Sequence, residues 1–291
     1  MPTLVVYNPK SGSADLEAIK AAFDHRGIEA EYVSIASASA QRKMDEIKNH
    51  RNAVIVAAGG DGTINGVAGR IQGSACTLAV LPAGTLNHFA KALGIPTDLE
   101  KAVDVIAAGH ARSVDIGTVN KRVFLNNSSI GVYPRSLRIR DEYQKALGKW
   151  PAAVLGLIRS IIRPRHYYIE ATIKGAKRTF RTPFVFVGNN EYHRSGGQLG
   201  ERASLESGQL AVYILKATSP SGIIWSLIAM FFTKRRHSPA FGIYLVDSCT
   251  IHTKHHRSLR VACDGEVYDI GSPLQYQSHH KALRVITPPV Q

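Results

Sequence analysis

Residues 54–66 join an apolar run to Gly59-Gly60-Asp61-Gly62-Thr63-Ile64-Asn65-Gly66 and then to a helical pattern. Three glycines within four residues let a backbone approach a bulky anion and reach positive φ. A helix N-terminus just beyond them offers unpaired N–H groups and a positive dipole end to phosphate. Thr63 and Asn65 add side-chain donors. Asp61 is the odd member, because a carboxylate beside a phosphate needs a reason such as a metal or a water network. A tight β–α turn, capped by the aspartate, is the plainer reading, but the strand–loop–helix setting favours phosphate. The segment is neither a Walker A loop nor a G-x-G-x-x-G fingerprint. One strand later Leu81-Pro82-Ala83-Gly84-Thr85-Leu86-Asn87-His88 repeats the arrangement, with Thr85 and Asn87 placed to face the same cleft. Asn8-Pro9-Lys10-Ser11-Gly12 closes the first strand in the same way. A lone turn of this kind is more often structural; three on one sheet edge are hard to explain without a ligand. Far downstream, Cys263-Asp264-Gly265-Glu266-Val267 sets two carboxylates around a glycine, which by itself reads as a plain β-turn.

These turns need elements to hold them. Strand signals at residues 4–7, 31–35, 53–57 and 78–81 alternate with helical ones at 14–25 and 41–50, where Leu16, Ile19, Ala22 and Phe23 share one face. Such alternation implies a parallel sheet covered by helices on both faces. Ligands then sit at the carboxyl ends of the strands, where the glycine-rich turns fall. After Asp115 the texture changes. Strands at 123–125, 167–173, 182–187, 210–215, 243–252 and 259–262 follow without regular helices, which predicts a mainly antiparallel second domain. A strand at 282–286 is too short and isolated to place. Two apolar, basic stretches interrupt the second domain, at 135–165 and 220–236.

In its order of motifs the chain resembles the diacylglycerol kinase catalytic family, which includes sphingosine and ceramide kinases and bacterial soluble lipid kinases. The resemblance rests on Asn8-Pro9, residues 59–65, Pro82-Ala83-Gly84-Thr85-Leu86-Asn87, Val114-Asp115-Ile116-Gly117 and Cys263-Asp264-Gly265-Glu266, and it covers nearly the whole chain. It implies an ATP-dependent kinase that moves the γ-phosphate to the hydroxyl of a diacylglycerol-like or sphingoid lipid. The implied fold is a NAD-kinase-like, doubly wound α/β domain over residues 1–120, to which 281–291 return. A mainly antiparallel β-sandwich over 121–280 would carry the lipid. Gly59, Gly60, Asp61, Gly62, Thr63 and Asn65 would bind the ATP phosphates, with Asn8, Ser11 or Ser34, Gly84, Thr85 and Asn87 near the nucleotide. Asp264 and Glu266 would be the catalytic acidic pair, and Asp61 and Asp115 would organise Mg²⁺. The chain departs from the family at His88, where a carboxylate is common, and at Ser13, where a lysine is common. It departs again at 204–209, where an Asp-Gly pair often holds a structural Mg²⁺; here only Glu206 could substitute.

The balance of 36 basic against 22 acidic residues, a net charge of +14, should attract a polyanion. No RNA- or DNA-binding motif is visible. Cys76, Cys249 and Cys263 stand far apart, which argues against a disulfide framework or a zinc site and fits a reducing cytosol. The longest apolar stretch, 222–232, is broken by Ser226 and falls short of the roughly 20 residues that span a bilayer. It opens at Ser219-Pro220, carries Trp225 and Phe231, and ends in Lys234-Arg235-Arg236, a pattern suited to the surface of an anionic membrane. The expected protein is therefore cytoplasmic and peripheral at the inner membrane face. A buried helix with a solvated basic end is the plainer reading of that stretch. The competing functions are a soluble-substrate kinase such as a NAD kinase and a non-catalytic nucleotide-binding module.

Overall fold

The computed structural model describes residues 2–11, 15–192, 202–232, 241–254 and 256–289. The chain divides into two compact units, Met1–Ile116 with His280–Gln291, and Gly117–His279.

The first unit is built on strands whose apolar runs are too continuous to alternate, as expected of a parallel sheet covered on both faces. β1 (Thr3–Tyr7), β2 (Glu31–Ser34), β3 (Val54–Gly59) and β4 (Thr77–Pro82) lie in the order β2-β1-β3-β4, all parallel. β3 and β4 are buried along their whole length. Parallel neighbours need crossovers. These are α1 (Leu16–Asp24), α2 (Ser39–Ile47) and α3 (Asp61–Ile71). α4 (His88–Ala92), α5 (Leu99–Ala108) and β5 (Ala111–Val119) follow. Asp15 and Asp98 cap α1 and α5 by accepting from the Glu17 and Lys101 N–H groups. Because the strands are parallel, the carboxyl ends of β1 to β4 share one edge.

The second unit contains β6 (Arg122–Phe124), β7 (Asn127–Gly131), β8 (Tyr167–Ile173), β9 (Ala176–Thr182), β10 (Phe184–Asn189) and β11 (Leu210–Leu215). β12 (Phe241–Val246), β13 (Ser248–Thr253), β14 (Ser258–Cys263), β15 (Glu266–Gly271) and β16 (Leu274–Ile286) complete the strands. One sheet runs β12-β11-β10-β7-β14-β15, and facing it β13 pairs with β8 and with the start of β16. All these pairings are antiparallel. Ile169, Val187, Val212, Ile251, Val261 and Tyr276 fill the space between the sheets, so the unit is a β-sandwich. β11 is buried on both faces. Leu210, Val212 and Ile214 enter the sandwich, while Ala211, Tyr213 and Leu215 join Val132, Ile161 and Ile223 beneath three helices. The helices are α6 (Val132–Leu147), α7 (Lys149–Ile162) and α8 (Pro220–Phe232).

Three expectations change. The apolar run 243–252 is two strands, because the chain leaves one sheet for the other at Asp247. The final strand has 13 residues, its polar stretch Gln277-Ser278-His279-His280-Lys281 having hidden its length. Its last part returns to the first unit, with Val285 parallel to Leu78. The basic stretch 135–165 is a pair of helices that break at Gly148. Ser219 caps α8 by accepting from the Gly222 N–H. Ile223 is buried and Trp225 exposed on that helix, whereas Lys234, Arg235 and Arg236 lie outside the described residues. Among the described residues no helix is long and apolar enough to cross a membrane.

α6 and α7 meet at Gly156, where a Cβ would stand 2.4 Å from the Ser136 carbonyl oxygen. Gly156→Ala should therefore cost about 1–3 kcal/mol of overpacking against a helix-propensity gain of at most ~1 kcal/mol. A thermal melt should show a net loss; an unchanged midpoint would mean that the helices separate freely.

Candidate functional site

In the first unit the carboxyl ends of four strands bring the expected residues to one edge. Ser34 ends β2, Asn8 follows β1, Gly59 ends β3, and Gly84 to Asn87 follow β4. The Asn8 side chain ties the first of these turns to the second. Its Nδ2 donates to Thr63 Oγ1 at 3.2 Å, and its Oδ1 accepts from the Lys10 N–H at 3.0 Å. Ser11 folds back, its N–H donating to the Asn8 carbonyl. Ser34 is half-buried and accepts from the Ala36 N–H.

The glycines serve close approach. None of Gly59, Gly60 and Gly62 has positive φ, and Gly60 is extended at φ −85°, ψ −178°, which corrects the expectation of left-handed backbone here. A Cβ on Gly84 would stand 2.5 Å from the Gly60 Cα, and one on Gly59 2.6 Å from Thr63 Oγ1. The left-handed residue is Asn87, at φ 50°, whose side chain bonds both the N–H and the carbonyl of Gly84. α3 begins at Asp61, and its first intrahelical bond runs from the Ile64 N–H to the Gly60 carbonyl. The N–H groups of Asp61, Gly62 and Thr63 therefore lie ahead of the helical ladder, the position from which a helix binds anions. Thr85 is exposed beside them, and Asn65 is half-buried one turn along.

Both candidate metal carboxylates have structural partners. Asp61 accepts from the His88 and Phe89 N–H groups, each at 3.2 Å, and so clamps the second loop to the first. His88 thus contributes its backbone to the site. Asp115 is wholly buried and accepts from His280 Nδ1 at 2.9 Å and the Lys281 N–H at 2.8 Å. Among the described residues no three His, Cys, Asp or Glu side chains gather as a metal site. Mg²⁺ needs few protein ligands, often one or two carboxylates beside substrate phosphates. Half-buried Asp61 fits that requirement, and enclosed Asp115 does not. In the 204–209 loop Ser207 makes a closing contact: its hydroxyl and N–H both donate to Asn190 Oδ1.

In the second unit Asp264 and Gly265 are the two turn residues of the β14–β15 hairpin, both at positive φ, with Cys263 opposite Glu266. That is the Asp-Gly hairpin geometry, so the plain turn is present. The Asp264 side chain does more. It turns inward and accepts from three successive backbone N–H groups, Leu125 at 2.6 Å and Asn126 and Asn127 at 2.9 Å. The residue is half-buried but its carboxyl group is enclosed, and burial pushes that group up to about 6 against the pull of the N–H donors and Arg202. Glu266 is exposed and accepts from the Tyr268 hydroxyl. Burial, then this bond, pushes the Tyr268 phenol up to about 12. Arg122 stacks over the same ring at 3.5 Å. The N–H clamp at 125–127, Tyr268 and Arg122 were not candidates from sequence. Tyr268 lies two residues from Glu266 on the same strand, but the approach of residues 125–127 to Asp264 and of Arg122 to Tyr268 is made by the fold, which no local pattern reports.

Comparison with known proteins adds a family dimension. The model of the diacylglycerol kinase catalytic domain matches residues 2–119, and that of the YegS C-terminal NAD kinase beta sandwich-like domain matches residues 130–287. A diacylglycerol kinase of Staphylococcus saprophyticus is 36% identical over 177 residues, 57% of this chain and 52% of that protein. One from Staphylococcus aureus is 38% identical over 177 residues, 57% of this chain and 50% of that protein. The chain thus spans about half the length of the curated relatives it matches. The crystal structure of a Bacillus anthracis diacylglycerol kinase superposes with a TM-score of 0.71 at 20% identity, covering 99% of this chain and 97% of that one. At that identity the likeness shows the fold.

The Gly60–Gly84 contact makes a direct prediction. Gly84→Ala forces its Cβ onto backbone, and where the loops hold a nucleotide, overpacking of about 1–3 kcal/mol borne by the bound loop corresponds to roughly 5- to 150-fold in affinity. Calorimetry with ATP should show that loss while the circular dichroism spectrum is retained; unchanged affinity would place the nucleotide elsewhere.

Proposed function

The chain belongs to the diacylglycerol kinase catalytic family, and from that premise we propose that it transfers the γ-phosphate of ATP to the hydroxyl of a lipid. The observation that carries the reading is the paired glycine loops of the first unit, a backbone cradle at the N-terminus of α3. Phosphate oxygens would accept from the N–H groups of Asp61, Gly62 and Thr63, with Thr85 beside them. Such preorganised donors stabilise charge on a transferring phosphoryl group without reorganising. Mg²⁺ would arrive with the nucleotide and neutralise phosphate charge, held from the protein side by Asp61.

Transfer forms a bond from the lipid oxygen to the γ-phosphorus and breaks the bridging bond to the β-phosphate, whose oxygen leaves with the electron pair on ADP. The hydroxyl proton needs an acceptor. Asp264 is suited to that role because burial pushes its carboxyl group up to about 6, and a base is most effective when its pKa lies near the working pH. Glu266, one residue past the turn, would assist through its bond to Tyr268. The resemblance leaves a diacylglycerol and a sphingoid base equally open as acceptors. A lipid acceptor also accounts for the net charge of +14, which favours work at an anionic membrane surface, on the cytoplasmic side in this reading.

Incubation with γ-labelled ATP and a panel of diacylglycerols, sphingoid bases and ceramides should label at least one lipid; a label confined to NAD would transfer the chain to the soluble-substrate kinases. Asp264→Asn and Glu266→Gln should each lower turnover by about 10²-fold or more, as loss of a general base does, with ATP affinity nearly unchanged. Asp264→Asn should also lower the melting temperature, since an amide nitrogen would face three N–H donors, whereas exposed Glu266→Gln should not. If the two variants keep near parental turnover, the acidic pair is not catalytic. The acid limb of kcat/KM should rise with a midpoint of about 6, where Asp264 loses its proton. A midpoint near 4, the ordinary carboxylate range, would remove Asp264 as the proton acceptor.

A further inference from the structure

α7 is packed inside out. Its small residues Ala152, Gly156 and Ser160 are buried, with Gly156 against the α6 backbone. Apart from buried Ile161, its largest apolar side chains face away: Trp150 is 71% exposed, Val154 56%, Leu157 44%, Ile158 48% and Ile162 59%. Their spacing places them on one helical face, the stripe that a helix in water ordinarily turns to the core. α8 extends the surface. Its Ile223 shares a buried cluster with Ile161 of α7, which leaves Ile224 and Trp225 outside, the latter 70% exposed. The chain's two tryptophans therefore both stand on this surface. Tryptophan has an apolar body and a polar N–H, a combination suited to the water–lipid boundary.

The charge around the stripe has one sign. Asp141 and Glu142 are paired with Arg140 and Arg138. Lys145, Lys149, Arg159, Arg163 and Arg165 have no carboxylate partner among the described ion pairs. Just past Ile162 a cavity of about 500 Å³ is lined by Arg135, Arg165, His166, His256, Arg260 and Asp269, among others. Arg135 reaches across to donate to the Arg163 carbonyl at the end of α7. Burial and then the neighbouring Arg165 charge pull the Arg135 guanidinium below its ordinary value, as expected where cations converge.

We propose that the outward face of α7, with Trp225 of α8, docks this chain on an anionic phospholipid leaflet, and that the arginine-lined cavity at the end of α7 takes a lipid phosphate headgroup. The proposal rests on the reading of the acceptor as a lipid and names the surface that reaches it. A second copy of the chain would cover the apolar stripe equally well, but it would bring two basic rims together. An anionic leaflet meets both features at once, apolar to apolar and cation to phosphate.

Both tryptophans report on the test. With vesicles of phosphatidylglycerol in phosphatidylcholine, intrinsic emission should shift to the blue and be quenched by brominated acyl chains. Binding should weaken at least ten-fold on phosphatidylcholine alone, and salt should weaken it further because exposed charges are screened. The triple variant Trp150→Ser, Val154→Ser, Ile158→Ser changes only exposed positions. It should keep its melting temperature, bind phosphatidylglycerol vesicles at least ten-fold more weakly, and phosphorylate a dispersed short-chain lipid at the parental rate. Arg165→Glu should weaken binding only where phosphatidylglycerol is present. An unshifted emission spectrum, or a triple variant that binds vesicles like its parent, overturns the docking surface. Arg165→Glu that binds like its parent removes the cavity from the proposal. A parent that sediments as a dimer and a triple variant that sediments as a monomer assign the face to a second copy. Vesicle binding without phosphorylation of any lipid would overturn the kinase reading and leave the docking surface standing; phosphorylation of dispersed lipid without vesicle binding would do the reverse.

Discussion

The contact on which the first unit's site depends is one between two atoms that carry no side chain. Gly60 and Gly84 bring their backbones together so closely that a Cβ on Gly84 would stand 2.5 Å from its neighbour's Cα. Parallel pairing of β3 and β4 delivers the two loops to the same edge, with Gly59 opposite Pro82. The glycines let that pairing continue past the strand ends into the turns. Asp61 then binds the second loop at the His88 and Phe89 N–H groups, and Asn87 braces it from within through Gly84. The cradle is stiff because each of its parts is tied to another through backbone. Side chains here mostly organise main-chain donors, which suits a ligand recognised by its charge and oxygens.

The second unit inverts the relation. There a side chain is held by the backbone: Asp264 sits at the tip of a hairpin and its carboxylate is gripped by three N–H groups from residues 125–127. Enclosure raises its proton affinity and the N–H groups lower it, and enclosure prevails. A carboxylate held this firmly has one orientation. The same grip makes the residue structural whatever chemistry it performs, so stability and turnover have to be measured together for any substitution at Asp264.

Much of this was legible in the chain. Gly59-Gly60-Asp61-Gly62-Thr63 and Pro82-Ala83-Gly84-Thr85 stand where apolar strand signals stop, so local pattern alone places them on a sheet edge. The reason for the glycines was not legible, because it lies in a contact between residues 24 positions apart whose geometry only the fold reveals. The run at 243–252 hid a change of sheet because a strand-like pattern resumes directly after Asp247, with Cys249 and Ile251 alternating with polar residues. The inward turn of Asp264 depends on partners more than 130 positions away. In α7 the helical period was present in Trp150, Val154, Leu157 and Ile158, but periodicity says only that a helix has two faces. Gly156 against Ser136 decides which face is inside.

β16 has a further meaning for how the molecule is made. Its end lies beside β4, where Val285 pairs with Leu78, Gly73 donates to the Ala282 carbonyl and Thr287 to that of His110. The α/β unit is thus discontinuous: its first four strands are made before the sandwich, but its sheet is finished by residues that follow the sandwich. Until then β4 presents unpaired N–H and carbonyl groups to whatever strand comes near, a template for wrong pairing. A nascent chain halted anywhere in the sandwich would carry complete glycine loops on an open sheet edge. Correct assembly of the α/β unit therefore becomes a late event, timed by the synthesis of the intervening sandwich rather than by its own first four strands.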